Sequence, residues 1–237
     1  MIDSLSIVFP IFNEEKRLNI MIEDINDFNE KNKTVNLQYV FVNDGSNDNT
    51  QKILKSFISN NKKKEIEYLL IDLDLNQGKG KALKEGIKLV NKNWILTLDA
   101  DMSVSLQQIH NWINNNHLES NFEIYFGSRN IKNAIVDLKQ HRKILGKIFS
   151  FLLKILFNIQ IKDTQCGFKL YKSKIAKKIF KEIHDNGFVH DVEVVLIATK
   201  YGYEIKELPV KWIHKNNSKL NLFKDPLTMF LKLINLK

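Results

Sequence analysis

Two aspartates, Asp99 and Asp101, are the residues of this sequence whose type and spacing most directly suggest chemistry. They lie one residue apart in LTLDADMS, directly after an apolar run. If the chain stays extended there, both carboxylates point to the same side. Two carboxylates so close together repel each other unless a hard divalent cation lies near them. The pair predicts a metal site, and the alternative is two solvated acids at the end of a strand.

Polar residues also follow other apolar runs. Pro10 and Glu14 lie in VFPIFNEE, where the acids suit the positive end of a following helix dipole. Asp44 begins the turn in VNDGSNDNT, and NQGKGKAL carries Gly78 and Lys81. This last segment lacks the spacing and the hydroxyl of a Walker A loop. Its glycines nevertheless permit close backbone approach, and its lysines supply charge.

The segment KDTQCGFKLYK holds the single cysteine of the chain, Cys166. The segment contains no histidine that would raise the thiolate fraction, and the chain has no second cysteine for a metal site. We therefore expect the thiol to be a small apolar residue that faces the core. The chemical interest of the segment moves to Asp163.

The first 127 residues indicate the elements that position these segments. Strands are predicted at 5–9, 38–43, 66–71, 94–99 and 122–127, and helices at 14–30, 48–60, 79–91 and 105–115. This alternation predicts an α/β fold with a mostly parallel sheet and helices on both faces. Ligands of such sheets bind beyond the carboxyl ends of the strands, where the segments above begin.

Residues 131–162 show a different pattern. In the stretch HRKILGKIFSFLLKILFNIQIK, the polar residues Lys147, Ser150, Lys154 and Asn158 make one narrow stripe on a helix that is otherwise apolar. This pattern fits a buried core helix or an amphipathic helix in a bilayer interface, with its lysines reaching headgroup phosphates. Residues 131–182 hold thirteen Lys or Arg and three acidic residues, which favours the interface.

The rest of the chain continues the alternation. We predict a strand at 166–171, helices at 173–182 and 189–201, a strand at 204–210, and an apolar tail with lysines from residue 225. No repeat or linker divides the 237 residues, so one domain is expected. A single cysteine suggests a reducing compartment, and neither a signal peptide nor a spanning apolar run is recognised. We expect a soluble or peripheral protein.

Taken in order, IVFPIFNEE, VNDGSNDNT, NQGKGKAL and LDADMS resemble the nucleotide-sugar domain of family 2 glycosyltransferases, which have the GT-A fold. In the second half, GSRN, DTQCGFKL, FVHDVEV and ELPVKWIHKNNSKL resemble dolichyl-phosphate β-glucosyltransferases and their bacterial polyprenyl-phosphate relatives. The resemblance covers about residues 5–225, and eight motifs in register make it specific. It implies a Rossmann-like nucleotide-sugar half (1–130) and an acceptor and membrane-interface half (131–237).

The resemblance also implies roles for single residues. The nucleotide-sugar donor would be bound by Pro10, Phe12, Glu14, Asp44, Gly78, Lys81 and Asp99. Asp101 and Asp99 would hold Mg²⁺ or Mn²⁺ at the diphosphate. The catalytic residues would be Asp163, near the anomeric carbon, Asp101 and Arg129. The acceptor-phosphate end would be formed by Arg129, Arg142, Asp191, Glu193 and Lys219.

Arginine usage supports part of this assignment independently. The chain has three arginines among 36 basic residues, and arginine suits bidentate contact with phosphate. Arg129 follows a predicted strand and Arg142 opens the apolar helix, so both are candidates for phosphate contact. Arg17 is interpreted as a surface residue, and His141 and His190 as structural.

These observations predict an inverting hexosyltransferase that moves glucose from UDP-glucose to a polyprenyl or dolichyl phosphate. The alternatives within the class are a GDP-mannose-dependent polyprenyl-phosphate mannosyltransferase and an enzyme acting on a sugar hydroxyl of a cell-surface glycan. A nucleic-acid-binding protein is disfavoured, because the lysines alternate with aliphatic rather than stacking aromatic residues. A non-catalytic membrane-docking protein would leave Asp99 and Asp101 without a purpose. We expect a peripheral protein on the cytoplasmic face of a membrane, and keep open a homo-oligomer or a membrane-protein partner.

Overall fold

The computed structural model describes residues 2–61, 66–137, 140–215 and 232–233, with residues 140–145 described by their backbone alone. The strands within these ranges are β1 (Ser4–Ile11), β2 (Asn36–Asp44), β3 (Ile66–Leu73), β4 (Trp94–Thr97), β5 (Ile124–Ser128), β6 (Ile135–Asp137), β7 (Lys169–Lys172), β8 (Ile205–Pro209) and β9 (Lys211–Ile213). Seven of them form one sheet in the order β3-β2-β1-β4-β7-β5-β8, and β6 and β9 pair separately.

Helices cover both faces of the seven-stranded sheet. They are α1 (Leu18–Lys31), α2 (Thr50–Asn60), α3 (Lys79–Lys88), α4 (Gln108–Asn114), α5 (Gln140–Phe157), α6 (Ser173–Glu182) and α7 (His190–Lys200). Successive strand residues point to opposite faces. On β1, Ile7 and Phe9 therefore join the core formed with α1, α2 and α4, whereas Val8 joins the core formed with α3, α6 and α7.

The strand β7 runs antiparallel to both of its neighbours, β4 and β5, while the remaining pairs of this sheet are parallel. The predicted mostly parallel sheet is therefore confirmed. In register, Thr97 at the end of β4 lies opposite Lys169 at the start of β7. Residues that precede β7 consequently lie at the same edge of the sheet as residues that follow β4.

Two local predictions are wrong. Helix α1 begins at Leu18 instead of residue 14, because the chain first makes a turn in which Asn13 has a φ of 51°. After β4 the chain also turns, and the backbone N–H of Met102 donates to the carbonyl oxygen of Asp99 at 3.2 Å. The extended conformation assumed for Asp99 and Asp101 is therefore absent.

Helix α5 buries one side and exposes another. Leu153 is fully buried in the core, while Ile148, Phe151 and Ile155 are 50%, 62% and 63% exposed. Spacings of three and four residues place these three side chains on one face. A buried core helix accounts for Leu153 but not for the exposed face, so the membrane-interface role stays a prediction. No helix in the described ranges is both long and apolar enough to span a bilayer.

Candidate active site

The first acid of the predicted metal pair, Asp99, is held by a lysine from another element. The ammonium of Lys79, at the start of α3, lies 2.6 Å from Oδ1 of Asp99. Burial alone would lower the pKa of Lys79, but the charges of Asp99 and Asp191 outweigh it and raise that pKa above its usual value. Lys79 therefore stays charged and neutralises part of the strand-end pair. The sequence predicted that the lysines of NQGKGKAL supply charge, but it did not predict that Lys79 contacts Asp99.

The second acid, Asp101, has a different environment. Its Oδ1 accepts the backbone N–H of Ser103 at 2.9 Å, and its Oδ2 lies 3.9 Å from Nη1 of Arg17. Burial and the nearby charge of Asp99 raise the pKa of Asp101. The positive charge of a divalent cation would relieve this repulsion, and carboxylate oxygens are ligands that hard divalent cations prefer. The two acids therefore fit a divalent cation such as Mg²⁺ or Mn²⁺. In the described residues no group of three or more His, Cys, Asp or Glu side chains forms a metal site by itself.

Arg17 is buried, so its interpretation as a surface residue is wrong. It is 8% exposed and makes a bidentate ion pair with Glu14, with two N–H···O bonds of 2.5 Å. Its Nη1 has no hydrogen-bond partner among the described residues and faces Asp101. Helical periodicity alone could not reveal this position, because Arg17 precedes α1 instead of lying on it.

Asp44 organises the loop that leads into α3. Its two carboxylate oxygens accept the backbone N–H groups of Gln77 and Gly78, each at 2.8 Å. Gly78 has a φ of 102°, which favours glycine, and a Cβ at this position would collide with the carbonyl oxygen of Asn186. Asp44 and Gly78, which the sequence analysis both assigned to the nucleotide-sugar site, are therefore in contact. Their contact with a nucleotide stays a prediction.

Asp163 and Arg129 form a bidentate ion pair beside the metal pair. Nε and Nη2 of Arg129 donate to the two oxygens of Asp163 at 2.7 and 2.8 Å, and the backbone N–H of Arg129 adds a third bond of 2.9 Å. Burial opposes ionisation of Asp163, but the Arg129 guanidinium outweighs it and lowers the pKa of the carboxyl. Arg129 also lies 6.0 Å from the ring centre of Trp212 on β9. Asp163 is therefore ionised, and both of its carboxylate oxygens accept hydrogen bonds from Arg129.

The predicted acceptor residues on α7 are buried. Asp191 is 3% exposed and pairs with Lys169 of β7, a residue that the sequence analysis missed. Burial opposes ionisation of Asp191, but His190, Lys169 and Lys79 hold its pKa at about 2. Glu193 accepts the backbone N–H of Asp185 at 2.7 Å. Lys169 lies within the otherwise apolar segment FKLYK, and this position could have indicated that it is buried against an acidic residue. Direct phosphate contact by either acid stays a prediction.

The remaining predicted residues are placed as follows. Pro10 lines the same pocket as Lys79 and Asp99. Phe12 is half-buried in the turn before α1. The ammonium of Lys81 lies 2.8 Å from Glu85 within α3. Arg142 is described only by its helical backbone, and Lys219 lies outside the described residues, as does the predicted tail apart from residues 232–233.

The α/β fold, with its charged loops at one edge of the sheet, agrees with the GT-A class that the sequence motifs imply. The chain belongs to the Glycosyl transferase family 2, whose sequence profile matches residues 6–180. The dolichyl-phosphate beta-glucosyltransferase of Dictyostelium discoideum is 31% identical to it over 98% of this chain and 73% of that protein. The human protein of the same name is 32% identical over 95% and 72%. Dolichyl-phosphate beta-glucosyltransferase ALG5A of Trichomonas vaginalis is 34% identical over 92% and 68%.

Solved structures agree on the fold. The chain is similar to glucosyl-3-phosphoglycerate synthase from Mycobacterium tuberculosis in complex with Mn²⁺, uridine diphosphate and glucosyl-3-phosphoglycerate. The TM-score is 0.70, with 13% identity and coverage of 98% of this chain and 80% of that one. Mannosyl-3-phosphoglycerate synthase from Rubrobacter xylanophilus gives 0.66 and 14%, with coverage of 98% and 73%. The predicted GT-A fold is thereby confirmed.

Proposed function

We propose that this glycosyltransferase transfers glucose from UDP-glucose to a polyprenyl phosphate, such as dolichyl phosphate, with inversion at C1. The observation that carries the proposal is the identity of 31% to dolichyl-phosphate beta-glucosyltransferase over 98% of this chain. This similarity includes the second half of the chain, where an acceptor would bind.

The donor would bind at the loops that follow β1, β2 and β4. Asp99 and Asp101 would hold the metal ion, while the loop fixed by Asp44 would line the nucleoside end. A bound Mg²⁺ or Mn²⁺ would act as a Lewis acid that offsets negative charge on the departing nucleoside diphosphate. Lys79 lies at the same place and adds a fixed positive charge. The residues of the chain thus favour departure of a diphosphate.

The acceptor phosphate would bind at Arg129. Asp163 pairs with the Nε and Nη2 donors of this guanidinium and fixes its plane, so Nη1 would be the donor that meets the acceptor phosphate. A phosphate monoester has a second pKa of about 6 and is largely dianionic at pH 7. It is therefore nucleophilic without a general base. A carboxylate paired with Arg129, such as Asp163, suits a role in orienting the arginine.

The membrane surface would be met by α5. Ile148, Phe151 and Ile155 would enter the interface, and the exposed Lys147 and Lys154 would reach anionic headgroups. We therefore propose a peripheral enzyme on the cytoplasmic face of a membrane. The polyprenyl chain would stay in the bilayer while its phosphate reaches the sheet edge.

The test is a product assay with two donors, UDP-glucose and GDP-mannose, each offered a short polyprenyl phosphate or a free sugar. We expect turnover with UDP-glucose and the lipid phosphate, a requirement for Mg²⁺ or Mn²⁺, and a β-linked product by NMR. Asp101→Ala should abolish turnover without affecting vesicle binding, whereas Asp27→Ala, at an exposed acid of α1, should change neither. Preference for GDP-mannose would overturn the proposed donor. Turnover with the sugar alone would overturn the proposed acceptor.

A further inference from the structure

Gly167, which follows the lone cysteine, lies directly against the first acid of the metal pair. A Cβ added at Gly167 would lie 2.5 Å from Cγ and 2.6 Å from Oδ1 of Asp99. Ordinary contacts between such atoms need about 3.5 Å, so any side chain here displaces the Asp99 carboxylate by on the order of 1 Å. The same carboxylate is the partner of Lys79 at 2.6 Å. The absent side chain of Gly167 therefore leaves the space in which this ion pair forms.

The backbone around Gly167 is anchored and cannot shift easily to admit a side chain. The hydroxyl of Thr97, the last residue of β4, donates to the carbonyl oxygen of Gly167 at 3.0 Å. The flanking residues Cys166 and Phe168 are 2% and 1% exposed, and Phe168 accepts the backbone N–H of Gly127 at 2.8 Å. Because interiors are close-packed, the strain of an added methyl group falls on Asp99, whose side chain is 40% exposed.

The segment that ends at Gly167 begins at the other charged pair. Asp163 holds Arg129 by three hydrogen bonds, and four residues later Gly167 borders Asp99. Thr164 and Cys166 between them are buried. This short segment therefore contacts the donor side and the acceptor side of the site at once.

We propose that Gly167 is a positioning residue, and that its lack of a side chain fixes the Asp99 carboxylate on Lys79 in the geometry that receives the metal and the diphosphate. The inference rests on the proposed donor site at Asp99 and Asp101. In this inference the important residue of the DTQCG segment is its glycine, not its thiol. The segment would then contribute to donor binding through Gly167 as well as to acceptor binding through Asp163.

The primary test is the binding of uridine diphosphate in the presence of Mn²⁺, measured by isothermal titration calorimetry on the full chain. Gly167→Ala should weaken binding by about 10- to 100-fold, as is usual for residues that orient metal ligands. Gly86→Ala is the matched control, because its Cβ would lie 2.6 Å from Cγ1 of Val8 and 2.9 Å from Cγ2 of Val42 in the core. Both variants should lower Tm, but only Gly167→Ala should lose affinity in its folded fraction.

Two further variants keep the inference testable if Gly167→Ala folds poorly. Thr97→Val removes only the hydroxyl bond to Gly167 and should cause a smaller loss of affinity in the same direction. In an Asp99→Ala background, Gly167→Ala should cost much less affinity than in the wild type, because the carboxylate that the added methyl group displaces is already gone. Equal losses in both backgrounds, or unchanged binding by Gly167→Ala, would overturn the inference. Failure of the wild type to bind uridine diphosphate and Mn²⁺ would instead overturn the proposed donor site, and this inference with it.

Discussion

Three acidic side chains at the site each lie against a cation from a distant part of the chain: Asp99 against Lys79, Asp163 against Arg129, and Asp191 against Lys169. A buried charge is costly unless it is paired, so the two buried acids, Asp163 and Asp191, depend on their partners for their ionised state. The cations come from α3, the end of β5 and β7. Each pair therefore also joins two segments of the chain near the carboxyl edge of the sheet.

Asp163→Asn tests whether this residue orients Arg129 or acts as a base. The change removes the charge that balances a mostly buried guanidinium, so the free energy of unfolding should fall by about 3 kcal/mol. Turnover should fall by about 100-fold, because Arg129 is no longer fixed in position. Denaturant unfolding and steady-state kinetics measure the two effects.

The pH dependence separates the two roles of Asp163. Its pKa is lowered from 3.8 in the folded state, so its contribution to stability is complete above about pH 4 and is lost as the pH falls toward the folded pKa. Turnover of both wild type and Asp163→Asn should decline below about pH 6, where the acceptor phosphate gains a proton. If Asp163 were the base, the wild type would also lose turnover at lower pH, as Asp163 itself gains a proton, and this second decline would be absent from the variant.

Cys166→Ala should retain most of the wild-type activity. Burial, with the nearby charge of Asp163, raises the pKa of the thiol to about 12, so it is neutral at pH 7. The loss of a small buried group should reduce the free energy of unfolding by about 1 kcal/mol. Turnover and labelling of the native and unfolded wild type with a thiol reagent are the measurements. Rapid labelling of the native protein, or a large loss of turnover, would contradict the assignment.

At the scale of the element, α5 carries the exposed apolar face formed by Ile148, Phe151 and Ile155. Exposed side chains of this size, held together on one helix face, form a patch that water disfavours. Leu153 fixes the orientation of the helix because it is buried on the opposite side. The packing of Leu153 therefore holds the apolar face of α5 toward solvent.

Replacement of Phe151 and Ile155 by serine should weaken binding to anionic phospholipid vesicles. Burial of one such side chain contributes about 1.5–3 kcal/mol, so the pair should cost roughly 100-fold or more in partitioning. Vesicle flotation measures the binding. Leu89→Ser is the control, since Leu89 is a single apolar residue at the end of α3 that is 49% exposed. Equal losses in both proteins, or no loss in the α5 variant, would count against the interface.

Helices and parallel strands followed from periodicity, and helix 173–182 has the predicted bounds. The positions of Asp44 and Asp99 at strand ends were also predictable, because carboxyl ends of parallel strands meet at one edge. The buried position of Arg17 and the pairing of Lys169 with Asp191 were not. Each depends on contacts between segments far apart in sequence, or on a turn that local pattern does not specify. The turn after Thr97 belongs to the same group, because Met102 has a φ of 52° that the preceding apolar run does not predict.

At the scale of the whole molecule, charge is unevenly distributed. The net charge is +9, and residues 131–182 supply an excess of ten positive charges. Lysines at 174, 177, 178 and 181 are exposed on α6, in the same part of the chain as α5. A membrane with anionic lipids would attract this region before any apolar side chain enters it. On the proposed function, the charge would orient the protein during its approach to the membrane, and the exposed face of α5 would attach it.

The reversed strand β7 has a consequence for how the protein is made. β5 is synthesised well before β7 and β8, yet these are its two neighbours in the sheet. Strand β5, which contains Ile124, Tyr125 and Phe126, therefore lacks one or both neighbouring strands until the ribosome has passed residue 209. Unpaired apolar edges of this kind associate readily with other chains. The sheet can close only late in translation, and a chain that stops after residue 130 would leave both β4 and β5 open to aggregation.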